Sequence, residues 1–180
     1  MADNEANQAT PDMQQIIGYV RHQAGKSNTE LAALVDRGEA YVDGTLEGVS
    51  EAQACVCPEP GEWCICDVVR HLTSATHSTA RAVETLTAGK EADLTGIEPK
   101  VTGGPETLAQ LRQALRESFD HLRRAVQGMS EGTESKVKTA HPAFGPLSDR
   151  EWAVFGYVHA RDHGIQIEKV KTAPTFPHQS

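Results

Sequence analysis

The sequence contains no apolar run near the roughly 18 residues needed to span a bilayer. Its opening stretch, MADNEANQATPDM, lacks the basic and apolar regions of a secretory leader. A cytoplasmic protein is therefore expected, in which cysteines stand mainly as thiols. Positive charge is scarce: 17 Lys and Arg against 25 Asp and Glu leave a net charge of −8. Such a chain repels phosphate backbones, which argues against a nucleic-acid partner. Strand-like alternation persists nowhere for long, and there is no internal repeat. What remains is an ordinary globular composition, 38% hydrophobic and 23% charged over 180 residues. That is enough chain for one domain with a real core.

Helical periodicity organises this chain. Residues 1–10 are polar and expected to be flexible. From Pro11 the apolar residues Met13, Ile16, Ile17 and Val20 follow i, i+3, i+4, i+7, predicting a leading helix over 12–24. Gly25 interrupts it. Ser27-Asn28-Thr29-Glu30 reads as a capping box and opens a first long helix over 28–47, a single bent helix being the alternative. Residues 48–61 are broken by Gly48, Pro58, Pro60 and Gly61. A second long helix is predicted over 63–88 from the stripe Ile65, Val68, Val69, Leu72, Thr76, Ala80, Val83 and Leu86, with Gly89 ending it. The segment 90–104 reads as a loop, long for a bundle connection. Pro105 stands at a plausible first helical position, followed by Leu108, Leu111, Leu115, Phe119, Leu122 and Val126, with Gly128 as the stop. After a further loop over 129–147, Ser148-Asp149-Arg150-Glu151 is a second capping box. It starts a helix ending near Val170–Lys171, where Lys169 and Lys171 suit the C-terminal dipole. The tail, 172–180, holds two prolines and is expected to be flexible. Four long amphipathic helices, with an extra N-terminal helical segment, predict an all-α antiparallel four-helix bundle over residues 11–171.

Chemistry concentrates on the last helix, which carries His159 and His163. Four residues make one turn plus about 40 degrees, so both imidazoles lean over one patch and can serve one ion. Spacing alone accommodates two structural histidines equally well. The zincin motif needs Glu second in H-x-x-x-H, and that position is Ala160, so a zincin protease is not expected. Asp162 lies within reach of His159 and could orient it, although a solvated carboxylate explains it equally. An open mononuclear site normally takes three protein ligands. His22 and His178 lie in the leading segment and the tail, and His121 flanks the apolar stripe of its helix. His71 sits between Val68 and Leu72 and can point inward, whereas His77, six residues on, points about 120 degrees away. His141, in a loop, could also approach.

Two stretches, GEWCICDVVRHL and HPAFGPLSDREWAVFGYVHARDHGIQIEKV, resemble the DinB-like (DinB/YfiT) family of small bacterial four-helix proteins. The resemblance rests on Trp63 followed eight residues later by His71-Leu72, and on the second histidine of the H-x-x-x-H followed by Gln166-Ile167. It covers about residues 28–171. It implies a metal held by one histidine from the second helix and two from the fourth, here His71, His159 and His163, with zinc or nickel as the ion. It also implies a possible thiol-dependent S-transferase acting on a small molecule, and a homodimer. A metal-dependent hydrolase remains open, since three neutral imidazoles leave the ion its full charge for polarising water or a carbonyl. No carboxylate stands where a general base is demanded, and no catalytic residue is assigned.

The cysteines depart from the family. Cys55, Cys57, Cys64 and Cys66 form two C-x-C pairs within twelve positions, whereas zinc sites usually use C-x-x-C. Inert thiols, a second metal site and a redox-sensitive pair are the competing readings. The last two would make the chain a non-catalytic metal- or redox-responsive module. The two thiols of a C-x-C share a side only in extended chain, which argues against all four converging.

Overall fold

The structure is a computed structural model and describes residues 13–94 and 104–177. The polar N-terminus, the helix start at Pro11, most of the 90–104 loop, His178 and the end of the tail lie outside the described residues. The elements are α1 (Met13–Ala24), α2 (Asn28–Thr45), α3 (Glu51–Ala54), α4 (Ile65–Thr87), α5 (Leu108–Gln127), β1 (Thr139–His141), β2 (Gly145–Leu147) and α6 (Asp149–Lys171).

Local chemistry starts these helices. Ser27 with Glu30 and Ser148 with Glu151 form the two capping boxes expected. Two more occur, Ser50 with Gln53 and Thr107 with Gln110. The Thr107 box corrects the expectation at Pro105: α5 starts at Leu108, because a reciprocal cap fixes the first turn more strongly than proline's preset φ. The Ser50 box builds the short α3 inside a stretch expected to be irregular.

Helices α2, α4, α5 and α6 form the all-α bundle, two running each way, and α1 adds the extra N-terminal segment against α6. Their directions can be followed through contacts. Asn28 accepts from Arg150 at 2.7 Å, Tyr41 donates to Glu168 at 2.9 Å, and Lys171 donates to the Thr45 carbonyl at 2.8 Å, so α2 and α6 run side by side in the same sense. His71 faces His159, and Thr87 reaches Asp149 at 3.1 Å, so α4 opposes α6. Arg70 pairs with Glu106, and Glu84 with His121 at 2.9 Å, so α5 follows α4 in direction. A parallel neighbour needs a connection as long as the helix itself, about 35 Å for the 23 residues of α4. That requirement gives the long 88–107 segment its reason.

The core between the helices holds Leu34, Leu72, Val83, Leu86, Phe119, Leu122 and Trp152, each at 0% exposure. Arg150, 1% exposed, ties the ends together. Its guanidinium donates to the carbonyls of Ala24 at 2.8 Å and Ser130 at 3.2 Å, to Asn28 Oδ1 at 2.7 Å, and to the Lys26 carbonyl. The α1–α2 turn is thereby fastened to the start of α6.

Two expectations are revised. The 129–147 stretch carries an antiparallel hairpin, Thr139 opposite Leu147 and His141 opposite Gly145. Gly145 makes its turn possible with φ +71, a left-handed conformation costly for other residues. The tail, expected to be flexible, is docked as far as Pro177. Phe176 is 7% exposed, Thr175 donates to the Pro58 carbonyl at 3.0 Å, and Gln53 donates to the Pro177 carbonyl at 2.6 Å. Burying one of the few aromatic rings outweighs the disorder that two prolines suggested.

Candidate metal centre

The stripe that buries Val68, Val69 and Leu72 also turns His71 inward, at 6% exposure, toward α6. There His159 and His163 present their imidazoles from successive turns, both half-buried. His71 Nε2 lies 3.4 Å from His159 Nε2, which lies 2.8 Å from His163 Nε2. The three rings offer nitrogens within 4.8 Å of one another.

The residues fit a metal ion on the chemistry of the donor set. His163 Nδ1 sits 2.8 Å from Gln166 Oε1, an oxygen that can only accept. The proton of His163 is thus held at Nδ1, and Nε2 is left as a bare lone pair facing the other two rings. Zinc–nitrogen bonds of about 2.0–2.1 Å in tetrahedral geometry separate ligand nitrogens by roughly 3.3 Å, close to the 3.4 Å between His71 and His159. The shorter His159–His163 separation needs only a small opening.

Electrostatics point the same way. Burial pushes His163 down to about 4, against the hydrogen bond to Gln166, with the His71 charge lowering it further. Burial holds His159 well below the usual imidazole range, helped by His163, His71 and His141. At neutral pH these rings are uncharged and able to bind a cation.

Aromatic side chains wall the cluster. Trp63, just ahead of α4, tilts over His71 with centroids 4.9 Å apart and stacks on His163 at 6.1 Å and 17°. Phe155, one turn before His159, stacks on it at 5.2 Å and 20°. The Trp63-to-His71 spacing in the sequence thus corresponds to a ring laid over a ligand candidate.

The other described histidines are placed elsewhere. His141 sits on β1, where its Nδ1 accepts from the backbone N–H of Ala143 at 3.1 Å and Phe144 at 3.3 Å. The Phe155 ring comes between it and His159. His77 is exposed and pairs through Nδ1 with His121 Nδ1 at 3.1 Å on the α4–α5 face, far from the cluster. His22 is exposed on α1. Asp162 is exposed and lines a separate groove with Tyr19 and Tyr157, and the orienting contact within the cluster is instead the one between Gln166 and His163. Gln166 lies three residues after His163 on one helix face, a spacing that could have singled it out.

A cavity of about 690 Å³ opens beside His163. Its walls come from the 58–63 loop, the face of α6 carrying Gln166 and Lys169, and the docked tail at 172–174. Lys169, which sequence assigned to the helix dipole, therefore also presents a cation to this cavity, with Glu59 and Glu62 on the facing loop.

The four thiols are free and do not converge as one group. Cys55 and Cys66 bring their sulfurs to 4.0 Å. Cys57 and Cys64 instead gather with Asp67. A hydrogen bond from the Cys66 thiol lowers Cys64 to about 7, and the same contact raises Cys66.

A family model described as the DinB superfamily matches residues 34–167, which take in His71, His159 and His163. No curated protein and no solved structure matches the chain.

Proposed function

Because the chain belongs to the DinB superfamily, we propose that it binds one divalent metal ion, zinc or nickel, through His71, His159 and His163 and serves the transfer of a low-molecular-weight thiol. The observation that carries this reading is the convergence of three imidazoles from two helices, His159 and His163 kept uncharged by burial and His163 held in its metal-binding tautomer by Gln166. A divalent ion held by three neutral ligands would supply Lewis acidity, lowering the pKa of a thiol or polarising a carbonyl.

The chain's own residues supply the rest. Gln166 keeps the His163 proton on Nδ1. Trp63 and Phe155 exclude water from the flanks of the imidazoles, which strengthens every charge interaction among them. Lys169 offers an ammonium to a substrate carboxylate, and Glu59 and Glu62 offer carboxylates to a substrate amine. A small thiol bearing both groups suits that lining, and about 690 Å³ accommodates a drug-sized molecule.

The test is metal analysis of untagged protein, followed by assays with a panel of thiols and electrophiles. About one equivalent of metal is expected, falling to background in His163→Ala. Negligible metal in the parent sinks the three-histidine site, and one bound metal with no turnover sinks the transferase. With an active thiol in hand, Lys169→Ala is expected to raise KM about tenfold for the carboxylate-bearing thiol at unchanged metal content, the loss of roughly one charge-assisted hydrogen bond. An unchanged KM removes Lys169 from substrate recognition.

A further inference from the structure

The four thiols run as one chain of contacts, Cys55 to Cys66 to Cys64 to Cys57, and the Cys64–Cys57 end has a carboxylate built into it. Cys57 comes from the loop after α3, Cys64 caps the start of α4, and Asp67 follows one turn into that helix. Two sulfurs and a carboxylate oxygen from these residues lie within 4.8 Å of one another. The Cys64 thiol donates to Asp67 Oδ2 at 3.2 Å, which aims that oxygen at the sulfurs. The other oxygen, Oδ1, accepts from Arg70 Nη1 at 3.0 Å, between side chains only 8% and 11% exposed. Arg70 is held in turn by Glu106.

We propose that Cys57, Cys64 and Asp67 form a second metal site, for a borderline or soft divalent ion such as zinc.

Three features carry it. Thiolate sulfur with one carboxylate is a donor set that zinc accepts, and three protein ligands leave a fourth tetrahedral position for water or a substrate thiol. Charge nearly balances locally: two thiolates, Asp67 and the half-exposed Glu106 set four negative charges against three from a divalent cation and the Arg70 guanidinium. A buried carboxylate clamped through its second oxygen by a fixed arginine is a ligand whose orientation is set in advance. The site also has an entrance, since Cys64 is 6% exposed and Asp67 likewise, while Cys57 stands exposed at the surface. Loading releases the two thiol protons to solvent and involves no change of oxidation state. Cys66, which touches Cys64, and Cys55, 4.0 Å from Cys66, are not among the three grouped donors.

Cobalt(II) titration of the full chain, untagged and kept reduced, separates this site from the histidines, because only thiolate ligands give a sulfur-to-cobalt charge-transfer band in the near ultraviolet. The band is expected in the parent and, at undiminished intensity, in a His159→Ala, His163→Ala double variant. It is expected to fall by about half or more in Cys57→Ser, a substitution at an exposed position that leaves the bundle intact. Asp67→Asn is expected to weaken cobalt binding by at least the roughly 10- to 100-fold typical of losing a group that only orients a ligand. Absence of the band overturns the proposal, as does a band unchanged in Cys57→Ser. A band that disappears with the two histidines places the sulfur at the other site and overturns it too. Because the double variant has no three-histidine site, either site can fail without the other.

Discussion

At the scale of single residues, the metal site depends on a residue that holds no metal. Gln166 fixes which nitrogen of His163 carries the proton, through one 2.8 Å hydrogen bond. Gln166→Leu keeps the volume and removes the acceptor, so His163 is free to place its proton on Nε2, toward the ion. Zinc affinity is expected to drop about 10- to 100-fold with little change in unfolding midpoint, read by competition against a chromophoric chelator. Equal affinities in parent and variant would show that the ring is positioned by Trp63 alone. The His159–His163 pair was legible in sequence, because H-x-x-x-H fixes a shared face. The stripe around Val68 and Leu72 let His71 point inward, with His141 left open until the family resemblance implied the full set. Gln166 entered only through the resemblance: its spacing marks it as a neighbour of His163, but whether its oxygen meets Nδ1 depends on a rotamer that sequence does not fix. The pairing of Cys55 with Cys66 and of Cys57 with Cys64 depends on how the 55–63 loop folds back, which no local spacing encodes.

At the scale of the element, α6 approaches α2 closely where it presents its histidines. A Cβ at Gly164 would stand 2.6 Å from Tyr41 Cε1 and 2.7 Å from Cδ1. The Tyr41 ring has little room to yield, because its hydroxyl donates to Glu168 at 2.9 Å on the same α6. Gly164→Ala is therefore expected to destabilise by about 1–3 kcal/mol, overriding alanine's better helix propensity. It also shifts the turn bearing His163, so metal affinity falls with stability. Gly18, on α1, has nothing within 4 Å of a built Cβ, and Gly18→Ala is expected to stabilise by about 0.5–1 kcal/mol. Denaturant midpoints of the two variants check the contrast, and a stabilising Gly164→Ala would mean that α2 and α6 separate easily. Helix limits were readable from capping boxes and apolar stripes, which are local. The β1–β2 hairpin was not, because three-residue strands carry no periodicity and Thr139 is held by a distant partner, the Ala92 N–H at 2.9 Å. The parallel course of α4 and α5 was hidden for the same reason: a long loop announces that the chain travels, but not where it goes.

At the scale of the whole molecule, holding uncharged imidazoles inside a bundle makes the metal-free fold sensitive to acid. Burial pushes His163 down to about 4 in the folded chain, against the ordinary imidazole value of 6.5. Above about pH 6.5 the ring is neutral in both states and pH has no leverage through it. Between 6.5 and 4 the unfolded chain takes up a proton that the folded chain refuses, so stability falls as pH falls and levels off below the folded value. At about 1.4 kcal/mol per pH unit, that interval is worth about 3 kcal/mol for His163, and His159 acts in the same direction. Glu39 and Asp162 oppose it, because partial desolvation raises both carboxyls, Asp162 even on an exposed residue. The folded protein then takes up their protons first, but only near the carboxylate range. Chelator-treated protein is expected to unfold at clearly lower denaturant at about pH 5 than at about pH 7, and His163→Asn, which cannot titrate, to lose much of that difference. Zinc should raise the midpoint more at the higher pH, since protons compete for the same nitrogens. A pH slope identical in parent and His163→Asn would locate the acid sensitivity outside the histidine cluster.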